Sequence, residues 1–257
     1  MDLIQEITSS APGVSSTAFL TLCVTSFFTS VISAAFGLGG GTMLIVIMAS
    51  LLPPLAIIPT HAIIQMNSNL TRALFLWRHI KFTWMMPFII GTILGAAVGG
   101  QVVYAIPKHT LQGIIGIFVI YSLWGPKIGS IKLSNLSFVG IGGIASFATM
   151  FVGGTGPLIA PFIKASTNER RTTVATHAAF MSWQHGIKII AFGILGFAFA
   201  PYMALLVGMI ILGIIGTWSG KILLNWMPEK VFRKAFNITL GLLAINLIIQ
   251  AVIHGVS

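Results

Sequence analysis

One pattern occurs twice in this chain. Gly37-Leu38-Gly39-Gly40-Gly41 is followed by Thr60-His61-Ala62, and Gly153-Gly154-Thr155-Gly156-Pro157 is followed at the same interval by Thr176-His177-Ala178. One offset, 116 residues, aligns the glycine clusters and the histidines without a gap and pairs Arg72 with Lys188. An offset of 121 residues pairs Gly95 and Gly99 with Gly216 and Gly220, and Pro107 with Pro228. In a very apolar chain, a twofold repeat with glycine interruptions in corresponding segments points to a transporter whose site lies between two halves.

The chain is that apolar. Of its 257 residues 56% are hydrophobic and only 7% charged, with a mean hydropathy of +0.99. A soluble domain carries about 25% charged residues, so this composition belongs to a polytopic membrane protein. Its acids are Asp2, Glu6, Glu169 and Glu229, all outside the apolar runs, which leaves no intramembrane carboxylate. The net charge of +10 does not indicate nucleic acid, because the basic residues cluster between hydrophobic segments instead of forming an arm. A single cysteine, Cys23, excludes an intrachain disulfide and a thiolate metal cluster. No Lys or Arg precedes Arg72, so no cleavable signal peptide is expected, and residues 1–13 read as a short exposed tail.

A spanning helix needs about 20 apolar residues. Full-length candidates are 60–78, 82–104, 109–126, 200–226 and 231–254, with a more polar sixth at 172–196. The stretches 15–52 and 134–165 would be roughly 57 Å and 48 Å long as unbroken helices, too long for one crossing, so each breaks at its glycines. The break makes either a re-entrant hairpin or two crossings, one of them short. With the N-terminus outside, the cations at 78–81, 127–133, 164–171 and 228–234 all fall on the cytoplasmic side. Each repeat then has an odd number of crossings and the copies are inverted. The expected fold is an all-α polytopic membrane protein of two inverted repeats, with eight to ten helical segments. Residues 1–126 form the first repeat, 127–133 a cytoplasmic linker and 134–257 the second. Both termini are expected outside the cytoplasmic membrane.

The glycine break followed by a Thr-His helix, present in both halves, resembles the sulfite exporter TauE/SafE family, and the likeness covers nearly the whole chain. The resemblance implies transport of sulfur-containing anions such as sulfite, sulfoacetate or other organosulfonates.

The residues read the same way. A helix that starts inside protein offers unpaired N–H groups and a positive dipole end, a ready anion site. Gly39, Gly40, Gly41 and Thr42 open one such run, and Gly153, Gly154, Thr155 and Gly156 the other, with Pro157 suited to a first turn. His61, Gln65, Ser68 and Arg72 share a helical face, widened by Asn67 and Asn69. His177, Gln184, His185 and Lys188 form the matching face of the second copy. Arg72 is expected on the cytoplasmic approach and Lys188 on the outer one. The glycines at 95, 99, 216 and 220 are expected to serve helix packing. Without an intramembrane acid, proton coupling would fall to His61, His177 or His185.

The expected function is a secondary transporter, working by alternating access as an exporter, with its partners a small sulfur-containing anion and the lipid bilayer. An anion channel for small oxyanions is the alternative. An enzyme is disfavoured, since no nucleophile–base pair or HExxH motif is present. No cofactor, metal or nucleic acid is called for, and a homo-oligomer is left open.

Overall fold

The computed structural model describes residues 3–36, 39–103, 106–125, 134–167, 169–223 and 229–256. Gly37, Leu38, the expected linker 127–133 and Pro228 lie outside the described residues. Among the described residues there is no strand, and eleven α-helices follow one another. A short α1 (Leu3–Thr8) leads into α2 (Ser16–Phe36), α3 (Gly40–Leu51), α4 (Pro54–Phe75), α5 (Met85–Val103) and α6 (Lys108–Trp124). The second series is α7 (Ser137–Val152), α8 (Gly156–Ser166), α9 (Arg170–Ile194), α10 (Met203–Leu223) and α11 (Glu229–Val256). Four segments are long and apolar enough to cross a membrane: Ser16–Ala34, Phe82–Val103, Ala200–Gly220 and Asn237–Gly255. The protein is an all-α polytopic membrane protein.

Both overlong stretches are interrupted. The first is a 21-residue helix followed by a 12-residue one, the second a 16-residue helix followed by an 11-residue one. At 1.5 Å per residue the short members reach only about 18 Å, well under a hydrocarbon core of about 30 Å. The turns use glycine where the backbone needs it: Gly39 caps α3 at φ 103° and Gly153 ends α7 at φ 77°. L side chains rarely adopt that region. One boundary differs from the sequence reading. Helix α4 begins at Pro54, not residue 60, with Pro at its first turn and Pro59 inside it. An early proline forfeits few helical bonds, because the first N–H groups have no partner within the helix anyway.

The packing follows the order of the two series. Helix α5 lies on α7, α10 on α2, α6 on α11, and α4 on α9. Exchanging α2–α6 for α7–α11 maps each of these pairs onto one of the set. The first two seams are backbone contacts. A Cβ added at Gly95 would strike the Gly143 carbonyl of α7, and one at Gly216 the Phe27 carbonyl of α2. Gly99 and Gly220 continue the same seams against Phe147 and Val31. Large apolar side chains such as Ile90, Leu94, Val98, Ile211 and Trp218 point outward, as a lipid-facing surface requires.

Polar ties hold the pieces that packing alone would leave loose. Gln112 of α6 donates to Ala49 O at 2.9 Å, meeting one of the last carbonyls of the short α3. The loop after α4 is fixed to α9, with Lys81 N–H donating to Thr176 Oγ1 at 3.1 Å and His79 3.6 Å from Glu169. The N-terminal residues are not a free tail. Ala11 and Val14 are buried, and Tyr202 Oη donates to Pro12 O at 3.2 Å.

The seams set a test. Gly95→Ala forces α5 off α7 and should destabilise the purified protein by about 1–3 kcal/mol, read as a lower melting temperature in detergent. Gly140→Ala meets no atom within 4 Å and should melt as the wild type does.

Candidate anion site

Two broken helices point their starts at one cavity. In α3 the first bond inside the helix is Met43 N–H to Gly39 O at 3.0 Å, so the N–H groups of Gly40, Gly41 and Thr42 come before the ladder begins. In α8 the ladder begins with Leu158 N–H to Thr155 O at 2.9 Å. Pro157 stands in its first turn, where a missing N–H costs least. Gly39, Gly41 and Thr42 from the first break line the cavity together with Gly154, Gly156 and Pro157 from the second. Both dipole ends therefore bias the same small space toward negative charge.

Helices α4 and α9 supply the side chains. His61, Gln65, Asn69 and Arg72 line the cavity from α4, and His177, Met181 and His185 from α9. Ser33 of α2 completes it. Each matched histidine grips the short helix of its own series. His61 Nε2 donates to Gly41 O at 3.0 Å, and His177 Nε2 donates to Gly156 O at 3.2 Å. His61 also reaches the other break, since a Cβ built on Gly153 would sit 3.4 Å from its Nδ1. Its ring lies edge-on to His185, with centroids 5.9 Å apart.

The cavity offers about 60 Å³ to the centres of water-sized molecules. A single water needs about 10–15 Å³ on that measure, so the space suits an ion of a few heavy atoms. No carboxylate is among the lining residues. Arg72 and three imidazoles are, and Lys188 lies close behind.

Ser68 and six other residues singled out from the sequence are not among those lining the cavity. Gly40 faces α2, where a Cβ would strike the Thr29 carbonyl. Gly153 packs on Ile45 and His61. Thr155 is fully buried, its hydroxyl 3.1 Å from Gln184 Oε1 and 3.2 Å from Ala145 O. Gln184 in turn donates to Ser146 Oγ at 3.1 Å. Lys188 is not on an outer approach. It is fully buried, and its Nζ donates to Gly153 O at 2.6 Å and Thr149 Oγ1 at 2.9 Å. Asn67 lies about 240° around α4 from His61, away from the cavity face that Asn69 shares. Asn69 and Pro157, both marked in the sequence, line the cavity, and Ser33 and Met181 join them. Ser33 and Met181 carry no ionisable group that would mark them in a sequence.

The interior of this helical membrane protein holds a small cavity lined by Arg72 and three histidines, with no carboxylate among the lining residues. The chain matches the protein family described as Sulfite exporter TauE/SafE over residues 22–247, and it belongs to that family. The family is one of anion export transporters. No curated protein and no solved structure matches the chain.

The two kinds of glycine separate by experiment. A Cβ on Gly154 meets only His61 Cε1, at 3.8 Å, so Gly154→Ala should fold normally while narrowing the cavity and slowing anion flux in proteoliposomes several-fold. Gly40→Ala should instead reduce the yield of monodisperse protein, because its new methyl collides with backbone.

Proposed function

We propose that the protein is a secondary transporter that exports sulfite or an organosulfonate-type anion across the cytoplasmic membrane by alternating access. The anion sits where α3 and α8 begin. What carries this reading is the convergence of both helix starts and Arg72 on one cavity without a carboxylate. Sulfite and sulfonate oxygens accept hydrogen bonds from backbone N–H groups and guanidinium alike. Export agrees with the electrical driving force, because an inside-negative potential of 100 mV pushes each negative charge outward by about 2.3 kcal/mol.

Residues 1–126 and 134–257 act as inverted repeats in this reading. Support comes from the exchange of helix pairs between the two series and from the basic loops. The termini are then outside. With Cys23 replaced by Ser, cysteines placed at Lys81 and Lys164 should resist an impermeant thiol reagent applied to intact cells. Ready labelling of either from outside would overturn the orientation.

The substrate is tested by thermal shift of the purified protein with sulfite, sulfoacetate, taurine and thiosulfate. A ligand at a hundred times its Kd stabilises by about 2.7 kcal/mol, a clear rise in melting temperature. Arg72→Gln should weaken the best ligand by about 1–3 kcal/mol, as loss of a charge-assisted hydrogen bond implies. If none of the four anions shifts the wild type, the anion site is wrong.

A further inference from the structure

Two ring nitrogens in the wall of the cavity have no partner. His61 Nδ1 and His185 Nδ1 are both buried without a hydrogen bond, on rings that are 1% and 2% exposed and that both line the cavity. Buried polar atoms in proteins are nearly always paired, and an exception signals an unseen ligand or a functional role. For His61 the tautomer follows from the geometry. Its Nε2 faces the Gly41 carbonyl, which only accepts, so the ring hydrogen resides on Nε2 and the neutral ring leaves Nδ1 bare. That nitrogen is free to take a proton without breaking any bond the ring already makes.

Surrounding charge decides when it does so. The ionisable groups facing the pair are Arg72 from α4 and His177 and Lys188 from α9. Among the described residues, helices α2, α3, α7 and α8 contribute no ionisable side chain to the cavity wall, and no carboxylate lines it. In an empty cavity, a proton on the pair would add positive charge to a wall that already holds Arg72 and Lys188. An anion in the cavity reverses that balance, because unlike charges in a dry site attract strongly. A second proton would sit on a ring only 5.9 Å from the first, so one is the stable number.

We propose that His61 and His185 form a proton-binding site that fills together with the anion, so that each anion crosses with one proton and the potential acts on one negative charge fewer. This rests on the anion-site reading above. The proton arrives from water as the anion enters, is held on a ring nitrogen while the cavity is closed, and returns to water when the anion leaves. Nothing else is consumed. Binding each ligand then strengthens the other by the same factor.

The test is calorimetric titration of the purified protein with thiosulfate and with sulfoacetate, in two buffers of different ionisation enthalpy at neutral pH. Both anions keep their own charge through that range, so any proton counted belongs to the protein. The expected result is uptake of one proton per anion, with apparent affinity falling about tenfold per pH unit on the alkaline side. His61→Gln or His185→Gln should bind the anion more weakly and with no proton uptake. Equal heats in both buffers, or proton uptake that survives in both variants, would overturn the proton site while leaving the anion site intact. No binding of either anion to the wild type, with no thermal shift by sulfite or taurine, would overturn the anion reading and this inference together. Should both variants fail to give monodisperse protein, the wild-type buffer comparison decides alone.

Discussion

Hydrocarbon leaves backbone groups nowhere to turn but the protein itself, so a helix interrupted at membrane depth must find new partners for each freed N–H and C=O. This chain meets the requirement from two directions. Lys188 of α9 meets the Gly153 carbonyl freed at the end of α7, while His61 and His177 add bonds to the Gly41 and Gly156 carbonyls in the first turns of α3 and α8. The first N–H groups of α3 and α8 have no partner within their own helices, and under the proposed function an anion in the cavity would accept from them. Site and fold are thus one arrangement. The helices that bond the breaks, α4 and α9, also line the space those breaks enclose.

Lys188 shows the difference between the matched positions. It corresponds to Arg72 in the repeat, yet Arg72 lines the cavity and Lys188 stands behind its wall, bonded to the turn between α7 and α8. The two halves of the site therefore do different work. One presents a guanidinium to the cavity, and the other uses its cation to hold a glycine carbonyl in a positive-φ turn.

Much of this was legible beforehand because it depended on single positions. The breaks, the paired histidines and the packing role of Gly95, Gly99, Gly216 and Gly220 follow from residue type and spacing. What was not legible depended on which neighbour covers each edge of a helix. His177, Met181 and His185 turn to the cavity, whereas Gln184 and Lys188, each within about 20° of His177 around α9, bond to α7 instead. Helical periodicity ranks residues around an axis and says nothing about where the covering helix stops. Gly40 was misjudged for the same reason, since its neighbour Gly41 faces Gln65 while Gly40 itself abuts α2. The docking of residues 11–14 needed Tyr202, far along the chain, to reveal it.

The glycine seams also govern how such a chain comes into being. Helix α10 carries the bare glycine track that seats on α2, and α5 carries the one that seats on α7. When α2 through α6 have left the ribosome, neither α2 nor α5 has met its mate. The arrival of α7 seats α5, and only the arrival of α10 seats α2. The two series are consequently interlocked, each clasping the first helix of the other, and the cavity takes its lining from both.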